Sequence, residues 1–159
     1  MTGIEVNLTN TELMSAAMTG VIRQVASLRD GRKPGFGCAD DNNWQIHIEG
    51  ACGEMAVAKA LGIYADLRVD SFKAPDLPGI QVRTRSKHGY ELIVRKNDKD
   101  GDLFILVTGV NGKYWVRGWI RACDCKNPEW LQSHANREPA YFVPHSQLLT
   151  METLKMAVA

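Results

Sequence analysis

Apolar positions follow a helical period up to about Leu61 and an extended pattern from Ile63 onward. A short strand, Ile4 to Leu8, precedes the first helix. Thr9 reads as an N-cap, with Glu12 three residues on completing a capping box. The helix is expected from about Asn10 to Leu28, with Leu13, Ala17, Val21, Val25 and Leu28 on one stripe. Asp30-Gly31 ends it. A second helix is expected from about Asn43 to Leu61, capped by Gly62. Gly50 and Gly53 lower its propensity by roughly 1 kcal/mol each, which makes sense where a helix lies close against another backbone. Ile63 to Val69, Ile80 to Arg85, Tyr90 to Lys96, Leu103 to Thr108 and Tyr114 to Arg121 read as strands. Asn111-Gly112 suits a type I′ hairpin turn. Beyond Cys125 the chain is irregular, with short helical pieces expected at Pro128, at Pro144 and in the tail METLKMAVA. The predicted class is α+β: two N-terminal helices packed on a mostly antiparallel or mixed sheet of about five strands.

Composition narrows the class without naming a function. A chain of 159 residues, 45% hydrophobic and 23% charged, is one globular domain rather than a disordered, collagen-like or coiled-coil chain. Residues 1–159 read as a single domain in which 1–35 form a strand-helix extension. Nineteen Lys and Arg against eighteen Asp and Glu leave a formal charge of +1, so net charge argues for no partner and only its local distribution can. No apolar run approaches the roughly 20 residues of a membrane span. The first residues lack a basic region followed by an apolar run, so a cytoplasmic location and no membrane partner are expected. The four cysteines, Cys38, Cys52, Cys123 and Cys125, then read as separate small apolar side chains. A zinc site using all four is the alternative, but their spacing is irregular for one.

One constellation points to chemistry. Glu54 stands on the second helix within GACGEMAVAKALG, Asp76 within APDLPG, and Gln81 and Arg83 on the strand IQVRTR. Alternation puts Gln81, Arg83 and Arg85 on one face of that strand and Val82 and Thr84 on the other. Carboxylate and amide oxygens can hold a hard divalent cation, which activates water and neutralises phosphate charge. Each residue also has a plainer reading: Asp76 as a turn residue beside Pro and Gly, Glu54 as a solvated helix residue, and the strand trio as a wet sheet face.

Taken in order, helix Glu, Pro75-Asp76, then Gln-Val-Arg on the next strand resemble the PD-(D/E)XK nuclease superfamily. The stretch from about Trp44 to Arg121 is similar to small phage-encoded members, with GIQVRTR, YELIVRKND and VRGWIRA as the matching strands. The resemblance implies a restriction-endonuclease-like core hydrolysing DNA with Mg2+ or Mn2+, in a host bacterial cytoplasm if phage-encoded. It makes Glu54, Asp76, Gln81 and Arg83 catalytic, with Asp76, Gln81 and Glu54 at the metal. Two positions depart from the pattern. Gln81 replaces an acid and removes a charge from the metal site. Arg83 replaces a lysine and cannot deprotonate at working pH. The alternative expectation is therefore a catalytically inactive module that binds DNA or a host protein.

Basic residues supply the expected DNA contacts. Arg83, Arg85, Lys87 and His88 cluster at one strand end, and Trp115, Arg117, Trp119 and Arg121 alternate along a later strand. Arg85, Lys87, Arg117 and Arg121 are the DNA-binding candidates. Trp119 is expected in the core, because Gly118 beside it suggests tight packing. The acidic turn NDKDGD reads as a solvated hairpin loop rather than a calcium loop. A protein partner and a second copy of the chain are further partner classes.

Overall fold

The computed structural model describes residues 2–31, 43–67 and 79–157. Pro75, Asp76 and Cys38 lie outside the described residues. Strand β1 (Ile4–Asn7) leads into helix α1 (Asn10–Arg29), and α2 (Asn43–Leu61) follows. The α1 start is the expected capping box: Thr9 Oγ1 accepts from the Glu12 N–H at 3.2 Å, and Glu12 Oε2 accepts from the Thr9 N–H at 2.8 Å. Helix α2 ends in a Schellman motif, with the Ile63 N–H on the Ala58 carbonyl and the Gly62 N–H on the Lys59 carbonyl. Gly62 takes the left-handed φ of 67° that this ending requires.

The remaining strands are β2 (Ile80–Arg85), β3 (Leu92–Arg95), β4 (Leu103–Val110), β5 (Lys113–Arg121), β6 (Leu131–Gln132) and β7 (Ala140–Val143). Helix α3 (Ala122–Cys125) follows β5, and α4 (Met151–Ala157) closes the described chain. Two short 3-10 turns, Pro128–Trp130 and His145–Gln147, stand where the prolines predicted helical pieces. The strand expected from Ile63 is not seen over residues 63–67; its last two residues lie outside the described segment.

The class is α+β, as expected, with two helices packed on a mixed sheet. The strands divide between two sheets, however. The larger has the order β1-β5-β4-β2, with β2 parallel to β4 and the other pairs antiparallel. The smaller has the order β3-β7-β6, all antiparallel. A simple meander would have set β3 between β2 and β4. Instead β3 leaves the layer to pair with β7, so β2 reaches β4 directly and in parallel.

The larger sheet is the middle layer. Val6, Val57, Ile80, Val82, Ile105, Val107, Tyr114, Val116 and Trp119 form a core beneath α1 and α2. On the opposite face Leu92, Val94, Phe104, Leu106, Ile120 and Val143 form a second core with the smaller sheet. Strand β4 sits between the two, and its first seven residues are all buried, which explains its unbroken apolar run. The β4–β5 hairpin closes through Asn111 (φ 57°) and Gly112 (φ 88°), as the type I′ signal predicted.

The inward face of α1 corrects one expectation. Its buried residues are Ala16, Gly20 and Gln24, whereas Val25 and Leu28 of the predicted stripe are exposed. A Cβ on Gly20 would lie 2.4 Å from the Ile48 Cα, so α1 meets α2 backbone to backbone there. Gly53 serves a similar approach to the sheet: its Cβ would meet the Thr84 hydroxyl at 1.8 Å.

Candidate nucleic-acid interface

Glu54 and the β2 residues of the expected metal site divide between the two faces of the larger sheet. Ile80 and Val82 of β2 join the core beneath the helices, and the Thr84 side chain meets α2 at Gly53. The odd positions of β2 therefore turn toward the smaller sheet. Arg83 lies with its guanidinium carbon 4.8 Å from the centre of the Phe104 ring, in the second core, and Nη2 is 3.4 Å from Asp98 Oδ2. Gln81 shares that face by alternation. Glu54 belongs to the helix side. It is 4% exposed, and Arg23 of α1 donates to both of its oxygens, at 2.7 and 3.1 Å. Glu54 and Arg83 are thus not brought together, and Asp76 lies outside the described residues.

Glu54 and Arg83, as placed, do not converge on one cation. A bidentate guanidinium already takes up the negative charge that Glu54 would offer a metal. Among the described residues no group of three or more His, Cys, Asp or Glu side chains could hold a metal ion. Cys52 and Cys125 belong to the two different cores, on opposite faces of the sheet. The acidic turn does hold a cation, which is the ammonium of Lys126. Its Nζ donates to the carbonyls of Lys96 (3.0 Å) and Asp98 (2.6 Å) and to Asp100 Oδ1 (2.7 Å). Asp98 also accepts from the Arg95 N–H at 2.7 Å. The turn is mostly exposed, as expected, and it also seats Lys126 and Arg83; it is not a hairpin loop, because β3 pairs with β7.

A different cluster assembles on the smaller-sheet side, centred on Tyr90 between β2 and β3. The Arg85 guanidinium lies 4.6 Å from the Tyr90 ring centre and the Lys87 ammonium 5.5 Å from it, distances typical of cation–π contact. Arg85 Nη1 donates to the Glu91 carbonyl at 2.6 Å. Burial lowers the pKa of Arg85, with Tyr90 and the Glu91 carboxylate opposing; arginine nonetheless keeps its charge. His88 Nδ1 is 2.9 Å from the hydroxyl of buried Thr108 on β4.

From β5, Arg117 reaches the same region. Its Nη2 donates to Nδ1 of His145 at 3.1 Å, and Nε2 of that ring donates to the Tyr90 carbonyl at 2.7 Å. Both bonds together require the neutral ring with its proton on Nε2. Nε and Nη1 of Arg117 are shielded from solvent and make no hydrogen bond among the described residues. Burial lowers the Arg117 pKa as well.

Arg117 joins this cluster by alternation with Tyr114 and Val116 of the helix-side core, and a β-bulge reverses the alternation for the residues beyond it. The β4–β5 register shifts between Leu106 and Val107, so Arg117 is the extra residue opposite them. The alternation expected for Trp115, Arg117, Trp119 and Arg121 breaks there. Trp119 turns into the helix-side core, as expected, and its indole N–H lies within hydrogen-bonding distance of Thr153 Oγ1 (2.9 Å) and the Thr150 carbonyl (3.1 Å). Arg121 stands beside Leu103 at the other end of the β4–β5 pair. Of the four expected DNA contacts, Arg85, Lys87 and Arg117 gather, and Arg121 does not.

Sequence reasoning missed Tyr90 and His145 as members of this cluster. Tyr90 carried a usable signal, an aromatic residue following a basic strand end. His145 carried none, because it arrives from the far end of the chain. Compared with known proteins, the chain matches no family model, no curated protein and no solved structure.

Proposed function

We propose that this protein is a DNA-binding module built on a nuclease-like scaffold, and that it does not hydrolyse the DNA it holds. One observation carries the reading: Arg85 and Lys87 lie against the ring of Tyr90, Arg117 reaches the Tyr90 carbonyl through His145, and Nε and Nη1 of Arg117 have no acceptor among the described residues. Cations with a planar ring meet both parts of a nucleotide, the phosphate and the base. Tyr90 is 39% exposed, so its ring is accessible for stacking. The non-catalytic part rests on the separate engagement of Glu54 by Arg23 and of Arg83 by Asp98, on opposite sides of one sheet. The two departures at Gln81 and Arg83 point the same way.

The test measures binding of labelled single- and double-stranded DNA by fluorescence anisotropy across a salt series. Affinity is expected to fall steeply with salt. Arg85→Gln with Lys87→Gln is expected to weaken binding about tenfold or more and to flatten the log–log salt slope by about 1 for each phosphate no longer neutralised. Absence of salt-sensitive binding overturns the DNA reading and leaves a protein partner. In parallel, plasmid and linear DNA are incubated with Mg2+ or Mn2+. Cleavage by the wild type that Asp76→Ala abolishes would restore the hydrolase.

A further inference from the structure

Arg117 is met by a neutral ring where a half-buried guanidinium is ordinarily met by an acid. Its Nη2 donates to His145 Nδ1 at 3.1 Å, and His145 Nε2 donates to the Tyr90 carbonyl at 2.7 Å. Nε and Nη1 of the same guanidinium have no acceptor among the described residues. Charged and titratable groups reach the pair from two elements. Strand β5 supplies Arg117 itself. The connection from β2 to β3 supplies Tyr90, with Arg85 and Lys87 on its ring, and also His88 and the Glu91 carboxylate. Strand β7 enters the His145 turn through Val143 and Pro144, and the turn itself adds only the neutral Ser146 and Gln147. Three cations thus stand against one acid.

We infer that Arg117 and His145 form a proton-gated seat for one DNA phosphate, which deepens the DNA-binding reading and rests on it. The hydrogen bond between them exists only while Nδ1 offers a lone pair. A proton taken from solvent onto Nδ1 makes the ring a second donor and a second cation facing Arg117, and the direct bond is lost. An anionic oxygen placed between the two accepts from Arg117 Nη2 and from His145 Nδ1 together. A phosphodiester oxygen has that chemistry.

Nε2 keeps its proton in both states, so the bond to the Tyr90 carbonyl anchors the ring throughout. That anchor holds the seat beside the Tyr90 ring and its two cations. Histidine is the side chain that gains its charge between about pH 8 and pH 5. Phosphate binding at this seat therefore carries a proton onto the ring, and acidification favours the bound state.

The experiment is fluorescence anisotropy on the full chain with labelled single-stranded and duplex oligonucleotides, from about pH 8 to about pH 5.5, with circular dichroism confirming the fold at each pH. Affinity at about 0.1 M salt is expected to rise about tenfold toward the acid end, and the log–log salt slope to steepen by about 0.7–0.9, the increment for one more phosphate neutralised. His145→Gln, whose amide can still donate to the Tyr90 carbonyl, is expected to abolish the rise. His88→Gln, which removes the other histidine of the cluster, is expected to keep it. At the acid end the losses from Arg117→Gln and His145→Gln are expected to be non-additive. Ring nitrogen NMR of the free protein at about pH 8 is expected to show His145 with its proton on Nε2, and added oligonucleotide at about pH 6.5 to drive the ring to the imidazolium. Salt-sensitive DNA binding whose pH response survives His145→Gln overturns the inference and leaves the DNA-binding reading standing. So does a free ring that carries its proton on Nδ1. Absence of salt-sensitive binding at every pH removes both.

Discussion

Tyr114 carries its hydroxyl into the core beneath the helices, where it donates to Glu49 of α2. Glu49 Oε1 also accepts from the Asn111 N–H at 3.2 Å, so this acid ties the β4–β5 hairpin to the helix layer. Burial, then the bond to Glu49, raises the pKa of the phenol. The sign follows from that direction. The unfolded chain ionises near the ordinary phenol value of about 10 and the folded one does not. Stabilisation from this proton is complete below that pH and is lost as pH rises above it. Tyr114→Phe is expected to cost about 1.5–3 kcal/mol at neutral pH, as for a hydrogen bond to a charged group. It should also remove part of the decline above pH ~10; urea midpoints measured on both sides of that pH check it. Arg23→Met tests the buried acid Glu54. Breaking a buried pair on one side costs about 3 kcal/mol or more, and chemical denaturation reads the loss. If Glu54 instead served a metal, Arg23→Met would leave stability nearly unchanged.

At the scale of elements, two glycines set how closely the layers approach. Gly20→Ala should raise the intrinsic propensity of α1 by about 1 kcal/mol and yet destabilise the protein, because the new methyl meets the backbone of Ile48 and His47. The expected net loss is about 1–3 kcal/mol. Gly53→Ala differs, since the nearest atoms it meets belong to the Thr84 side chain. Thr84→Ala is expected to rescue Gly53→Ala in a double-mutant cycle and to do nothing for Gly20→Ala. Helix ends, the hairpin turn and five of the strands were legible locally because their signals lie within a few residues: Thr9 with Glu12, Gly62 after Leu61, Asn111-Gly112. Strand β7 was not. AYFV is short and flanked by Pro139 and Pro144, and its pairing partner β3 lies far back in the chain.

For the molecule as a whole, one sheet serves two cores, so neither should melt without the other. Cys52 reports on the helix-side core and Cys125 on the second. Burial raises both thiol pKa values, that of Cys125 to about 12, whereas Cys123 is exposed. Mapping of maleimide labelling by mass spectrometry is expected to show Cys123 modified at once. Cys52 and Cys125 should react together, at the rate set by global unfolding. Labelling of Cys125 alone in mild denaturant would show that the smaller sheet opens separately. The candidate site was legible only in part for the same architectural reason. Arg85 and Lys87 stand next to Tyr90 in sequence, but Arg117 and His145 reach it from β5 and from the turn after β7.

The order of residues by itself determined the two helices and their caps, most strands, the hairpin turn and the α+β class, since period, capping chemistry and turn geometry act over a few neighbouring residues. Tertiary structure alone decided which strands share a sheet, which face of α1 is buried, and which side chains meet. Those outcomes depend on where β3 pairs, on a bulge that turns Trp119 and Arg121 away from the face of Arg117, and on glycines that let layers approach closely. Each joins segments distant in the chain, and only the glycines at 53 and 118 hinted locally at a close approach, without naming what approaches.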